Sequence, residues 1–594
     1  MCAMWAMDSE YANSNGWEDG GLPIPHTFSF RNLETDKVIT FIGEDLRSLA
    51  GFPLPTTDTF IAYYLPAEVG AMLALGWTPP QRMWDLYVFF RQATNVEPRE
   101  YCGRYGLLQA ADYFCGGPSP LYGALDTSEF KADSRDLAMR GEPYVPEEWE
   151  ILRRYCEADV DTTARIARVV MARSDFNLDL CLHWGRYLAA LAYEERIGIP
   201  MDEEKARDLK RFAPEIRLHC IRGFEREFGF GIFDEGGKHR RSGLIDFLNR
   251  NSIPWEATET GAPRTDERYM SQLCRGHPIL EPYVNVRELA DKYKMLSGLA
   301  IGPDGRNRCS MFPFSTKTGR NAPSTKKFLF AMSKAFRRLV KPPLGYGFVQ
   351  IDWAAEELAI AAVLSGDADL LDAYLGGDPY IGFAIRAGAA PVGATKESHR
   401  EIRDRYKTVM LAVGYGQTEH GLATTLGIHR IEARDLLLKH RAAFPRFWRW
   451  VIEVVSTAAW ERRVQTRLGW TLNLGNTDLF NGKIIKDRTL VNFPIQGTGG
   501  DLLRLASIMA MDAGLDVGAP VHDALLLCAP SCEIEDQARE LEQVMVRASM
   551  EVLGGVPLRS ETSITVFPDR YDPEKGADLW ESTLRLLKEV KGAS

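Results

Sequence analysis

The sequence predicts a multidomain α/β protein, on three observations. The chain has 594 residues, enough for several domains of ordinary size. Short apolar runs that read as strands end on acidic residues and lead into helix-forming runs, as at Val349–Ile351 before Asp352. From about 176 to 301 the pattern is helical and amphipathic, with capping signals and few strand signals. At 45% hydrophobic and 26% charged residues, the composition is that of an ordinary globular chain. No run of about eighteen apolar residues occurs, so no membrane span is expected. The N-terminus carries no basic region ahead of an apolar one, which argues against a secretory signal. The ten cysteines include no CxxC pair. That suits free thiols in a reducing cytoplasm and argues against a zinc ribbon.

Each segment has a local reason. Met4–Met7 is apolar and precedes Asp8 and Glu10, which are two apart and so share one side of a strand. A strand-like run from Phe60 leads into an apolar helix carrying Glu68, and Asp85 follows Trp84. Pro146 followed by Glu147 and Glu148 is a helix start, and Tyr155 and Asp159 are four apart on that helix. Between Glu194 and Asp202 a Gly and a Pro punctuate a helix stop and restart. Ser315–Ser324 is a polar, turn-rich loop.

The centre of the chain is the run Val349 to Ala359. A strand should deliver Asp352 at its end, and a helix should start just after it. An acid at that junction suits a metal ion but is commonly just a helix N-cap. His522 and Asp523 interrupt a second apolar strand, Ala519–Cys528. A charged pair inside a strand is costly unless paired or metal-bound. One reading is a tight hairpin turn with His and Asp at its tip. The other is that Asp352 and Asp523 share two Mg2+ ions about 4 Å apart. Arg403, Lys407, Leu411 and Tyr415 are each four apart, so they follow one helical face. That face is either simply solvated or grips a triphosphate and a base.

Together these stretches resemble motifs A, B and C of family A DNA polymerases, the bacterial polymerase I type, in the family's order. The likeness is closest to bacteriophage members that begin directly at the exonuclease domain, and it extends over essentially the whole chain. The resemblance implies an RNase H-like 3'-5' exonuclease domain plus a right-hand polymerase. It divides the chain into exonuclease (1–175), linker and thumb (176–310), palm (311–355), fingers and return loop (356–480) and palm again (481–594). No 5'-nuclease domain is expected before Asp8.

The resemblance also implies roles. Asp352 and Asp523 hold two Mg2+ ions, for which Mn2+ is a substitute, with Trp353 beside the metal and the nucleotide. Arg403 and Lys407 face the triphosphate, Lys407 as a proton donor to pyrophosphate. Leu411 stands where a ring usually packs on the incoming nucleotide. Glu357 and Tyr415 match the sugar-selecting pair, which implies dNTPs. Arg320, Arg488, Asn492, Gln496, His522 and Thr466 are implied to touch primer-template DNA, the palm residues through groove acceptors common to all base pairs. Arg337 and Arg338 are further phosphate contacts. Ala524 replaces a frequent Glu, so a third carboxylate is expected to be missing, and Ala359 replaces a frequent Arg.

At the N-terminus the DEDD-type exonuclease pattern implies Asp8, Glu10, Glu68 and Asp159 as ligands, with Tyr155 orienting water. Glu68 stands where that pattern usually has Asp. Its longer side chain leaves an inactive relic as the alternative, with Asp85 as a fallback ligand or a structural acid. The net charge of -10 requires a local positive channel for DNA on an acidic body. Basic clusters lie at 238–241, 326–327, 334–341, 400–407 and 462–467. A monomer in the cytoplasm of an infected bacterial host is expected.

Overall fold

The computed structural model describes residues 3–15, 20–97, 104–122, 127–475 and 487–593. β1 (Met4–Asn13), β2 (Pro23–Asn32), β3 (Val38–Ile42), β4 (Thr59–Ala62) and β5 (Met83–Asp85) form one sheet in the order β3-β2-β1-β4-β5. β1 runs antiparallel to β2 and parallel to β4. It is covered on both faces. Met7 packs with Phe28, Phe30 and the α1 helix (Leu65–Ala74). Ala6 packs on Val160 and Ala164 of α3 (Pro146–Met171). The period of two therefore turns Asp8 and Glu10 toward α3. That helix begins at Pro146, and Glu148 caps it by accepting from the Val145 N–H at 3.0 Å. Between α1 and α3 lie α2 (Leu86–Ala93) and the short β6 (Val96–Glu97).

α4 (Leu178–Ile197) departs from the amphipathic pattern expected of the middle region. Trp184, Tyr187 and Leu188 join the N-terminal core, while Leu191 joins the core beneath the second half. Gly185 allows the close approach, because a Cβ there would stand 1.8 Å from the Met83 carbonyl oxygen of β5. The helix stops at Gly198, passes through β7 (Ile199–Pro200) and restarts as α5 (Glu203–Phe228), capped by Asp202. α5 packs along α6 (Glu281–Leu296) around Phe224, Phe247 and Tyr283, and β8 (Arg306–Asn307) pairs with β7.

The second sheet is built from β9 (Tyr346–Trp353), β12 (Val517–Val521), β13 (Ala524–Pro530) and β14 (Ser560–Val566), all antiparallel in the order β12-β13-β9-β14. The helices α7 (Glu356–Ser365), α8 (Pro379–Arg386), α9 (Arg400–Gly414), α10 (Arg430–Ala443) and α11 (Pro445–Glu461) follow β9. The hairpin β10 (Arg463–Gln465) and β11 (Thr471–Leu474) leads on to α12 (Asp487–Asp512), and α13 (Ile534–Val552) precedes β14. One continuous core joins Val349 and Ile351 of β9, Phe383 of α8, Val409 of α9 and Leu541 of α13. Helices and sheet are thus not separately cored at residue 355. Among the described residues, no helix is long and apolar enough to cross a membrane.

His440 of α10 is buried among Phe383, Phe444, Phe447 and Trp448. The Trp448 indole N–H donates to its Nδ1 at 3.1 Å, which requires an unprotonated nitrogen there. Burial pushes its pKa down from 6.5 to about 3. A depressed folded-state pKa means that the stabilisation is complete above about 6.5 and is lost as pH falls toward 3. At about pH 5 the loss should be ~2 kcal/mol. Relative to the unmodified chain, a His440→Asn variant should therefore lose less of its melting midpoint between about pH 7.5 and 5.

Candidate active sites

β9 ends on Asp352 and Trp353, and the chain then passes through Ala355 at φ 53° before α7 begins. The helix starts later than the sequence predicts. Ala355 is its N-cap, and Asp352 caps nothing there. β12 and β13 are joined by the two-residue turn His522-Asp523, with His522 at φ 57°. The turn is a tight hairpin with His522 and Asp523 at its tip, and that tip lies against Asp352. The Trp353 N–H donates to the Asp523 carbonyl at 3.1 Å, and Ala524 pairs directly with Asp352. Burial, then Asp523 and Glu561, push the Asp352 carboxyl up to about 7. Burial likewise raises Asp523. Ala524 carries no carboxylate, but another acid lies nearby. Glu561 of β14 sits opposite Asp352 across the other edge of β9.

These acids line an open cleft of about 730 Å3, whose walls include Trp353, Glu357, Arg403, Lys407, Leu411 and Tyr415. Tyr415 does not continue α9 but caps it, followed by Gly416 at φ 63°. A Cβ on Gly416 would meet the Arg488 Cβ at 2.5 Å, so this corner presses directly on α12. The Tyr415 hydroxyl donates to Glu357 Oε1 at 3.1 Å, and the Gln496 amide donates to both groups at 3.1 Å. Arg403 donates to Asp378 at 2.7 Å and to Asp404 at 3.1 Å, with its guanidinium 5.0 Å over the Tyr380 ring. Lys407 Nζ stands 5.5 Å from the same ring centroid.

Several residues expected to touch DNA have internal partners. Arg320 donates to the Gln496 carbonyl at 2.9 Å and to Glu356 at 3.3 Å. Burial pushes the Glu356 carboxyl up to about 8, with Arg320 pulling the other way. Gly499 makes room for the pair, since a Cβ there would lie 2.6 Å from the Arg320 guanidinium. Thr466 is buried, and its hydroxyl accepts from the Trp470 N–H at 3.1 Å inside the β10–β11 turn. Arg338 is corrected outright. It is 6% exposed and donates to the Pro573 and Lys575 carbonyls, so it ties down the C-terminal segment rather than facing phosphate. Arg337 donates to the Phe330 carbonyl at 2.7 Å and lies 4.9 Å over that ring. Arg488 and His522 are exposed, while Asn492 and Gln496 are half-buried on α12.

The N-terminal cluster is tighter. Carboxylate oxygens of Asp8, Glu10 and Asp159 all lie within 4.8 Å of one another. Burial, then Asp8 and Glu10, hold the Asp159 carboxyl well above the usual range. Glu68 is buried on α1, raised by burial and then by Asp8, with Asp159 adding to the shift. Asp159 Oδ1 and Glu68 Oε2 are buried without a hydrogen-bond partner among the described residues. Crowded, buried carboxylates of this kind fit a hard divalent cation, which would supply the missing counter-charge. Tyr155 is buried beside them, and its hydroxyl is raised by burial and then by Glu10 and Asp8. Asp85 is spent on structure, accepting from the Leu65 N–H at 2.5 Å and the Val88 N–H at 2.7 Å.

The profile of DNA polymerase family A matches residues 242–566, more than half of the chain. The chain belongs to DNA polymerase family A. It is 27% identical over 400 residues to DNA polymerase I of Chloroflexus aurantiacus, which covers 64% of this chain and 42% of the relative. It is 27% identical over 307 residues to the thermostable DNA polymerase I of Thermus thermophilus, which covers 49% of this chain and 36% of the relative. The matches thus span less than half the length of these relatives. The fold is similar, at a TM-score of 0.72 and 20% identity over 95% of both chains, to the POL domain of Pol1 from M. smegmatis in complex with DNA primer-template and dNTP. Family A DNA polymerases use divalent metal ions.

The cleft of this family A chain also holds residues that sequence reasoning missed: Glu356, Asp378, Tyr380, Lys396, Arg559 and Glu561. Asp378 was findable, because Gly377-Asp378-Pro379 is a helix-start signal and its carboxylate indeed caps α8. Glu561 had no local signal, since only strand register brings it to Asp352.

Proposed function

We propose that this chain is a template-directed DNA-dependent DNA polymerase with a separate 3'-5' proofreading exonuclease. The polymerase reading is carried by one juxtaposition: Asp352 and the Asp523 turn face the Arg403–Tyr415 side of α9 across a single cleft. In this reading Asp352 and Asp523 hold two Mg2+ ions, for which Mn2+ can stand in. Bound there, the ions supply activation of the primer 3'-hydroxyl and charge stabilisation of the leaving pyrophosphate. Arg403 exchanges Asp378 for phosphate oxygens, which it can bind in a fork, and Lys407 donates a proton to the departing group. Leu411 and Tyr415 bound the base and sugar. Arg320, Arg488, Asn492, Gln496 and His522 contact the primer-template near its end, and Thr466 acts through its turn. Residues 176–310 serve as linker and thumb, 356–480 as fingers and return loop, and 311–355 with 481–594 as palm.

The exonuclease reading rests on the acidic cluster of Asp8 and Glu10 on β1 with Asp159 on α3, beside a mixed sheet ordered β3-β2-β1-β4-β5. Glu68 faces the same cluster electrostatically, which favours it over Asp85 as the fourth acid. Tyr155 orients the attacking water. The resemblance to phage members supports replication of phage DNA by a monomer in the host cytoplasm.

A labelled primer-template tests both halves. With Mg2+ and dNTPs the primer should lengthen, and with Mg2+ alone it should shorten from its 3' end. Extension without shortening would reduce the N-terminal domain to a scaffold. DNA binding without any extension, across metals and temperatures, would sink the polymerase reading.

Sugar selection follows from the Glu357–Tyr415–Gln496 contact. In this reading the Glu357 carboxylate, held by Tyr415 and Gln496, takes the space a ribose 2'-hydroxyl would need. Glu357→Ala should raise ribonucleotide incorporation relative to deoxyribonucleotide by about 10–100-fold, the scale of losing a steric and polar block. Competing single-nucleotide incorporation assays would read the ratio.

A further inference from the structure

Among the contacts of the N-terminal domain with the second half, those of one short helix, α2, are the most concentrated on two loops. Asp85 caps α2 and, by also holding the start of α1, fixes both helices together. From α2 outward, side chains bind two loops more than two hundred residues away. The Tyr87 hydroxyl pairs with the Ser315 hydroxyl at 3.0 Å. Arg91 donates to the Phe314 carbonyl at 3.2 Å and also to the Ser315 carbonyl. Asn95, just past the helix and 8% exposed, donates from one amide nitrogen to the Lys317 carbonyl at 2.9 Å and the Thr471 carbonyl at 2.7 Å. Gln92 accepts from the Thr471 N–H at 3.1 Å. The Asn473 N–H donates to the Asn95 carbonyl at 2.9 Å, and β11 then pairs in parallel with β6.

The first loop runs from Phe314 to Arg320 and reaches the cleft at Arg320. The second is the β10–β11 turn, which packs beside it and against Gly497 of α12. Trp470 ties them together by donating to the same Lys317 carbonyl at 2.8 Å. Its ring closes on Gly319, where a Cβ would lie 2.9 Å away. The partners of Arg91 and Asn95 are backbone carbonyls, so the path of both loops is set rather than merely contacted.

We infer that α2 positions the Phe314–Arg320 loop and the β10–β11 turn, which carry the proposed primer-template residues Arg320 and Thr466, with Asn95 as the principal positioning residue. The N-terminal domain is then a working part of the polymerase site, whatever its own hydrolytic chemistry. This rests on the polymerase reading above.

Asn95→Asp is the discriminating variant. It keeps the shape of the side chain but turns both donors into acceptors facing carbonyl oxygens. In the full chain, the Kd for primer-template should rise about tenfold while the KM for dNTP stays within about twofold. Gln92→Ala, at a half-buried position, should raise the same Kd about threefold, and it carries the test if Asn95→Asp does not fold. An unchanged primer-template Kd in folded variants would overturn the inference. An equal rise in dNTP KM, with loss of all activity in step with the melting midpoint, would reduce α2 to a structural strut and overturn it too. Failure of the unmodified chain to extend any primer would instead remove the reading beneath it.

Discussion

Asp352→Asn or Asp523→Asn should reduce primer extension by ~10^3-fold or more, because each removes a carboxylate on which several kcal/mol of charge stabilisation depends. The same substitutions should leave folding intact and, without metal, should improve it. Burial, then Asp523 and Glu561, push Asp352 up to about 7, and burial raises Asp523, so each charge is disfavoured in the folded state. A raised folded-state pKa in an acid means that stability falls as pH rises from about 4 to 7. Asn carries no charge and escapes that loss. The metal-free melting midpoint at about pH 8 should therefore rise in the variants, and added Mg2+ should stabilise only the unmodified cleft. Digestion of single strands should persist in both variants and disappear in Asp8→Ala. Loss of both activities together in Asp352→Asn would contradict two separate centres.

The second large effect lies beneath the cleft. Arg504 and Asp501 of α12 are 2% and 0% exposed and pair at 2.6 Å. Arg504 also donates to the Gly319 carbonyl at 2.8 Å and stacks 4.5 Å over Phe314. Asp501 accepts from the Leu468 N–H at 2.8 Å in the β10–β11 turn. One pair thus binds both the Phe314–Arg320 loop and the β10–β11 turn. Asp501→Ala leaves a buried guanidinium without its counter-charge and should cost ~3–5 kcal/mol. Replacing both with apolar residues of similar volume, Asp501→Leu with Arg504→Met, should recover much of that stability. It should not recover extension, because the Gly319 and Leu468 backbone groups would still lack their partners. Calorimetry beside an extension assay separates the two outcomes.

Much of the cleft was legible before any fold. Asp352 at a strand end, the four-residue spacing from Arg403 to Tyr415 and the His522-Asp523 interruption are local patterns, and local patterns follow from backbone period and propensity. Asp8 and Glu10 shared a strand face for the same reason, and Tyr155 and Asp159 a helix face. Where reasoning failed, the deciding fact was burial or register. Arg338 read as a surface cation, yet the C-terminal segment folds over it and supplies its acceptors.

The sequence by itself determined the family, the acids at the centre of the cleft, and the residues that face one another along single helices and strands. These depend on spacing of a few residues, which backbone geometry converts directly into a shared face. Only the tertiary structure decided that Glu561 joins Asp352, that Glu356 holds Arg320, and that Asn95 binds loops at Lys317 and Thr471. Those contacts arise from strand register and from cores shared between distant segments. No short-range pattern encodes them, because the free energy that selects them is gained only when the whole chain has packed.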